Sequence, residues 1–263
     1  MRRKNIIEFE DMSWFPRRLK NYITDFLRCY ISLSNIYKPI YEDIYQTLVK
    51  SQSTRIVDLC SGGGGPQQKL LQYISSKNSN NYELESITLT DIHPNIDAFK
   101  SIALKDSRIK YIDKSVDACN VQSELVGMRT IFTGFHHMDK TQAMLVLKNS
   151  ICNNEAIGVF EITENSIFAI TRMALFAGVA GLVIIPFTRP FSIKKLLWTP
   201  IAFIVNWWDA VASCFRTYSV NELEHMVKAI DEKEFYEWQI GKKWSFLNLS
   251  NITYLIGFPK KRG

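Results

Sequence analysis

Paired cysteines are missing from this chain. The five that occur (Cys29, Cys60, Cys119, Cys152 and Cys214) are odd in number, scattered, and never spaced C-x-x-C. That excludes a disulfide framework and a cysteine-based zinc site, and it fits a reducing compartment. No apolar stretch follows Met1-Arg2-Arg3-Lys4, so no secretory leader is expected and the chain should be cytoplasmic or face the cytoplasm. There is no internal repeat, no low-complexity tract and no long block of one charge. The net charge of +6 is divided among short groups such as Arg2-Arg3-Lys4, Arg17-Arg18, Lys194-Lys195 and Lys242-Lys243. Such a surface suits an ordinarily basic protein, though it could also meet nucleic acid or an anionic membrane. Two phosphate-binding signatures are absent as well. A G-x-G-x-x-G fingerprint would need glycine or alanine at Gln67, and a P-loop would need Gly-Lys-Ser/Thr to close its turn.

What remains is a globular composition, 46% hydrophobic and 22% charged over 263 residues, enough for one large domain or one domain with an insert. Two amphipathic helices open it. Leu19, Tyr22, Ile23, Phe26, Leu27, Tyr30 and Ile31 share one face, as do Ile40, Tyr41, Ile44, Tyr45 and Leu48, with Pro39 in the first turn of the second. Trp14-Phe15-Pro16 reads as a turn that staples the first helix. From Arg55 short apolar runs alternate with helical patterns. Strands are predicted at Ile56–Cys60, Ile87–Thr90, Ile109–Ile112, Thr130–Thr133, Ile157–Glu161, Tyr236–Ile240 and Ile252–Phe258. Helices are predicted near Gln67–Ile74, Asn95–Leu104, Thr141–Asn149 and Val220–Ile230, the last opened by a capping box of Ser219 and Glu222. This alternation predicts an α/β fold, a doubly wound and mostly parallel sheet of seven strands with helices on both faces.

The densest signal is Arg55-Ile56-Val57-Asp58-Leu59-Cys60-Ser61-Gly62-Gly63-Gly64-Gly65-Pro66. A buried strand ends in an acid and then four glycines, which let a ligand approach the backbone closely. Asp58 precedes the glycines, where a carboxylate can hold a cationic or hydroxyl-rich ligand. Ligands of an open α/β sheet bind beyond the carboxyl ends of its strands. Strand two ends at Asp91 in Thr90-Asp91-Ile92-His93-Pro94, where a carboxylate can accept both hydroxyls of a ribose. The alternative for Asp91 is a helix-capping acid before Asn95. Asp117 and Ala118 follow strand three, and Thr133, Gly134 and Phe135 end strand four.

Asp58 through Gly64 resembles the first motif of the class I S-adenosylmethionine-dependent methyltransferases, and the resemblance extends over most of the chain from Arg55 to Phe258. It implies a Rossmann-like methyltransferase fold whose final strand runs antiparallel. It also implies S-adenosyl-L-methionine as cofactor, held by Asp58, Cys60, Ser61, Gly62, Gly63, Gly64, Asp91, Ile92, Asp117, Ala118, Thr133, Gly134 and Phe135. Asp117 would then meet the adenine amino group and Ala118 would support the ring; a solvated loop acid is the rival reading of Asp117. Methyl transfer is an in-line displacement in which the protein chiefly aligns the reactants, so it requires no metal and no covalent nucleophile. A base matters only where the acceptor keeps its proton.

His136 and His137 directly follow strand four and are half of the four histidines. One could remove or orient the acceptor proton; the alternative is a structural pair. In an extended segment neighbouring side chains point apart, so only one of the two is expected to be catalytic. Glu161, at the end of strand five, could orient the acceptor or pair with Arg172 or Arg216. Asn/Asp-Pro-Pro-Tyr, a base-methylation motif, is missing after strand four, which argues against a nucleic-acid acceptor. The adjacent histidines favour O-methylation.

Residues 162–218 form a hydrophobic insert after strand five, far longer than an ordinary connection. Ile167–Phe187 is nearly all apolar, and Leu196–Ala212 is interrupted by Pro200, Asn206 and Asp209. Between them lie Arg189, Lys194 and Lys195. A membrane span needs about 20 apolar residues, and outward-facing basic residues would oppose the positive-inside rule, so spanning is disfavoured. A hairpin touching the cytoplasmic membrane face through residues 167–212 and a soluble lid over an oily pocket both remain open. The sequence therefore divides into a helical cap, 1–54, and a cofactor-binding domain, 55–263. The expected activity is methyl transfer to a small apolar or lipid-like acceptor. A protein acceptor and a non-catalytic cofactor-binding module are the alternatives, and the oligomeric state is not legible.

Overall fold

The computed structural model describes residues 1–77, 82–184, 193–246 and 249–260. Seven strands form one sheet: β1 (Arg55–Leu59), β2 (Ser86–Leu89), β3 (Ile109–Tyr111), β4 (Met128–Phe132), β5 (Ile157–Glu161), β6 (Tyr236–Ser245) and β7 (Ser250–Pro259). Their spatial order is β3-β2-β1-β4-β5-β7-β6. The first five pair in parallel, and β7 inserts antiparallel between β5 and β6. This is the expected sheet, closed by the expected hairpin. β4 and β5 are buried along their whole length, and β4 carries Arg129 and Thr130 within that buried stretch.

The helices are α1 (Arg17–Ser34), α2 (Tyr41–Ser51), α3 (Gln67–Ser76), α4 (Ile96–Ala103), α5 (Lys140–Cys152), α6 (Ile167–Ile184), α7 (Ile193–Arg216) and α8 (Val220–Ile230). The capping box of Ser219 and Glu222 opens α8 as predicted, and a second one, Asp139 with Gln142, opens α5. Pro39 lies one turn earlier than expected, inside a 3-10 turn at Lys38–Ile40 that leads into α2. The order reverses between β1 and β4, so the carboxyl ends of β1, β2, β4 and β5 and their loops converge on one rim, the place where open α/β sheets bind ligands.

Two buried clusters flank the sheet. One joins Tyr37, Tyr41, Ile44 and Leu48 of the N-terminal region to Ile56, Leu89, Phe99 and Phe160. The other packs Val146 and Leu147 of α5 and Leu223 and Met226 of α8 against Leu59, Ile131 and Val159. A third and smaller cluster, Phe15, Leu19, Ile23 and Val205, holds α1 against α7; Phe15 staples α1 while Trp14 stays exposed.

The insert folds as a helical pair. Pro200, expected to interrupt the second apolar run, does not break the helix: α7 is a single helix of 24 residues with Pro200 inside it. Neighbours help to hold α7. Trp207 Nε1 donates to the Ala174 carbonyl of α6 (2.7 Å), and Trp208 Nε1 donates to the Ile7 carbonyl (2.9 Å). Among the described residues no helix is long and apolar enough to cross a membrane. Arg189 and the end of the first run, 185–187, lie outside the described residues.

Candidate functional site

The loop after β1 is shaped by hydrogen bonds from its own acids. Asp58 is almost fully buried, and its two oxygens accept from Ser61 Oγ and Thr130 Oγ1, both at 2.7 Å. Burial pushes its carboxyl up to about 7, against the pull of those two hydroxyl bonds. Asp58 thus braces the loop against β4, with both oxygens already engaged. Asp91 is only half-buried. Its Oδ2 accepts from the Gly62 N–H at 2.9 Å and its Oδ1 from the His93 N–H at 2.8 Å. A carboxylate aimed at the backbone of the neighbouring loop in this way ties the ends of β1 and β2 together. Ser61 N–H adds a bond to the Thr90 carbonyl at 2.9 Å.

The glycines are used for space. Gly64 has φ +98°, and a Cβ there would lie 2.0 Å from Ile102 Cδ1. A Cβ on Gly63 would lie 2.6 Å from the Thr24 carbonyl oxygen, so α1 lies directly against the loop. Ile92 is an exposed apolar side chain beside Asp91. Asp117 is exposed and accepts from the Cys119 N–H at 2.8 Å, capping a short 3-10 turn that starts at the buried Ala118. After β4, Gly134 sits where a Cβ would be 3.1 Å from Cys60 Cβ. The Thr133 hydroxyl bonds to the fully buried Tyr37, and Phe135 packs edge-on against Tyr218. Asp91, Ile92, Asp117, Cys60 and Gly134 therefore come together along the ends of β1 to β4.

The histidines stand beyond the ends of β4 and β5, but not as an extended pair. Phe135–His137 is a 3-10 turn, and this turn brings the two rings together, 4.3 Å between centroids and tilted by 34°. The expectation that neighbouring side chains would point apart fails because the segment is coiled rather than extended. Glu161 takes neither Arg172 nor Arg216 as its partner. Its Oε1 accepts from the N–H groups of Phe135 (2.7 Å) and His136 (3.2 Å), and its Oε2 faces His136 Nδ1 at 2.7 Å. Burial alone would raise the Glu161 carboxyl, yet the charge and hydrogen bond of His136 and the Phe135 N–H hold it below the usual range.

Several residues of this cluster carried no signal in the sequence. Glu8 is buried, with its Oε1 3.8 Å from His136 Nε2 and its Oε2 3.6 Å from His137 Nδ1. Asp11 Oδ1 faces His137 Nδ1 at 2.9 Å. Arg216 pairs with Asp11 and donates to the carbonyls of His136 (3.3 Å) and His137 (2.9 Å). Arg3 donates to the carbonyls of His136 (3.0 Å) and Met138 (2.8 Å). The run Glu8-Phe9-Glu10-Asp11 in a basic chain was the one available clue. Burial raises the Glu8 carboxyl to about 7 and that of Asp209, which accepts from the Phe9 N–H at 2.8 Å, to about 6.

No family model matches the sequence, and no curated protein matches it either. Solved structures do. The plantazolicin methyltransferase BpumL in complex with SAH is similar over 92% of this chain and 88% of its own, with 16% identity and a TM-score of 0.52. The methyltransferase domain of bacterial CtHen1-CN is similar over 85% of this chain and 100% of its own, with 13% identity and a TM-score of 0.53. A putative Zn-dependent alcohol dehydrogenase from Rhodobacter sphaeroides is similar over 92% of this chain and 98% of its own, with 9% identity and a TM-score of 0.51. Likeness at such identities speaks for the fold: the chain has the class I methyltransferase fold, and its chemistry must be argued from its residues.

The raised carboxyls set a pH dependence. Asp58 and Asp209 ordinarily titrate near 3.8 and Glu8 near 4.5, but in the folded chain they keep their protons to about 7, 6 and 7. Their contribution to stability is full below about pH 4 and is lost as pH rises toward 7. Asp11 and Glu161 are shifted downward, so their contribution is lost only in stronger acid. Urea unfolding should therefore show stability falling from pH 5 to pH 7.5, and Asp58→Asn should flatten that slope. A stability that rises over this interval would contradict the assignment.

Proposed function

We propose that this protein is an S-adenosylmethionine-dependent methyltransferase acting on a small apolar or lipid-like acceptor, most readily at oxygen. The observation that carries it is Asp91 at the end of β2, bonded to the Gly62 N–H of a four-glycine loop. A half-buried carboxylate at that place offers acceptor positions to the two hydroxyls of a ribose. Ile92 gives an apolar surface for adenine, Asp117 a nearby acceptor for its amino group, and Cys60 through Gly64 with Thr133 to Phe135 a narrow wall for the rest of the cofactor. Asp58 acts by holding the loop in place.

In this reading the acceptor lies toward β4 and β5. His136 is oriented by Glu161 through Nδ1, which leaves Nε2 as the nitrogen that can take a proton from a hydroxyl. His137 stands beside it. Bound S-adenosylmethionine supplies the activated methyl group, and the residues align the acceptor with it. The helical cap, 1–54, and the insert, 162–218, would close over the acceptor.

The apolar side of the insert supports an oily acceptor and peripheral contact with the cytoplasmic face of a membrane. Ile167, Phe168, Leu175 and Phe176 of α6 and Ile201 and Ile204 of α7 are exposed, and clustered exposed apolar side chains mark interaction surfaces. Each basic residue near anionic headgroups can add roughly 1 kcal/mol.

Three measurements test this reading. Calorimetry with S-adenosylhomocysteine should show binding that Asp91→Ala weakens by about 1.5–3 kcal/mol, the scale of hydrogen bonds to a charged group; no binding by the intact chain sinks the assignment. Cell extract incubated with protein and methyl-labelled cofactor should carry label in the organic fraction, whereas label confined to protein would favour a protein acceptor. In flotation the chain should rise with anionic liposomes and stay bound in high salt, because apolar burial at about 25 cal/mol per Å² outweighs the screened charges. Protein that remains at the bottom at every salt concentration argues for a lid instead.

A further inference from the structure

We propose that Glu8, His136 and His137 bind a divalent transition-metal ion. Their ligand atoms all lie within 4.8 Å of one another, and Glu8 and His136 are almost fully buried. The proposal rests on these three side chains and draws on the same His136 Nε2 that the methyl-transfer reading uses as a base, so the two roles exclude each other at that atom.

Hydrogen-bond accounting around His136 points to a cation. Glu161 accepts from three groups of the turn, and its Oε2 takes the Nδ1 proton of His136. When His136 is neutral, its ring with Nδ1–H has a bare lone pair on Nε2, and metal binding requires that form. That lone pair faces Glu8 Oε1 at 3.8 Å, too far for a hydrogen bond. Glu8 Oε1 has no hydrogen-bond partner although it is buried. With Glu8 ionised, two acceptors confront each other across a gap away from water, a costly arrangement that a proton on Glu8 or a cation between them relieves. A zinc ion with ligands at about 2.0–2.2 Å on each side fits such a gap. A carboxylate that fixes the other ring nitrogen is the usual outer partner of a metal-binding histidine, and Glu161 occupies that position.

His137 completes the set. Its Nδ1 is 3.6 Å from Glu8 Oε2 and is hydrogen-bonded to Asp11 Oδ1 at 2.9 Å, so an ion bound at this nitrogen would displace the proton shared with Asp11. Arg216 does not replace the ion. Its guanidinium comes within 3.4 Å of Glu8 Oε1 without making a hydrogen bond to it, and it is committed to Asp11 and to the carbonyls of His136 and His137. Two imidazoles and one carboxylate are a borderline donor set that suits zinc and its neighbours rather than magnesium or calcium. Three protein ligands leave a position open for a water or a hydroxyl.

The test uses the full chain after chelation and dialysis, titrated by calorimetry with zinc alone, with manganese and magnesium as comparisons. In parallel, S-adenosylhomocysteine binding is measured on the same protein, so that loss of the metal site and failure of the cofactor reading are distinguishable. One zinc per chain should bind, with magnesium weaker by at least about tenfold. Glu8→Gln and His137→Ala should each weaken zinc by at least about tenfold, the lower bound for disturbing even residues that only orient ligands. His137 is the partly exposed member, so His137→Ala keeps the test open if Glu8→Gln unfolds, and circular dichroism checks each variant. Absence of zinc binding by the intact chain, or zinc binding unchanged in folded His137→Ala, overturns the proposal.

Discussion

Everything at the rim turns on the buried carboxylate of Glu161. It ends β5 in a place that water does not reach, so its charge has to be met by fixed donors. Two backbone N–H groups and one imidazole of the turn after β4 do this. The same turn exposes its carbonyls on the other side, where Arg3 and Arg216 take those of His136, His137 and Met138. N–H groups bound by an acid and carbonyls bound by two arginines leave the turn little freedom. Breaking a buried pair of this kind by removing one partner typically costs about 3–5 kcal/mol, because the remaining charge stays buried. The pair also decides which nitrogen of His136 is bare, and so what the rim can do chemically.

The arginines carry this constraint outward to the first and last parts of the rim. Arg3 belongs to an N-terminal strap whose Lys4 N–H bonds to the Phe215 carbonyl and whose Ile7 carbonyl accepts from Trp208. Phe9 N–H bonds to Asp209. Residues 3 to 11 thus run against α7, while α1 lies against both α7 and the glycine loop. The strap and the insert are distant in sequence yet share one set of bonds, and both end at His136 and His137. A movement of α6 and α7 away from the sheet would have to break contacts to the strap or carry the strap along.

The sequence made the scaffold legible and the polar network only partly so. Hydrophobic runs placed all seven strands within a few residues, and the capping box at Ser219 located α8, because burial and capping act locally. Pro200 misled because packing against α6 overrides a local helix breaker. The histidine pair misled because two adjacent side chains are read differently in a strand and in a 3-10 turn, and the turn is imposed by Glu161, 26 residues away from Phe135 in sequence. Glu8, Asp11 and Tyr37 were missed for a related reason. Their partners are more than 95 residues distant, and nothing in a local pattern records such a meeting.

The acids at the strand ends differ in how the fold uses them. Asp58, Asp91 and Glu161 all follow apolar runs, and all three look equally poised for a ligand. Burial separates them. Asp58 and Glu161 are buried and have their oxygens engaged within the fold, so they shape the rim. Asp91 is half-buried and bonded only to backbone N–H groups at the lip, and its remaining lone pairs can meet a ligand. The rim therefore has a β2–β3 side whose acids, Asp91 and Asp117, are accessible and a β4–β5 side where acids and bases are buried and paired. The two sides meet where Gly134 lies against Cys60, too close for another Cβ without adjustment.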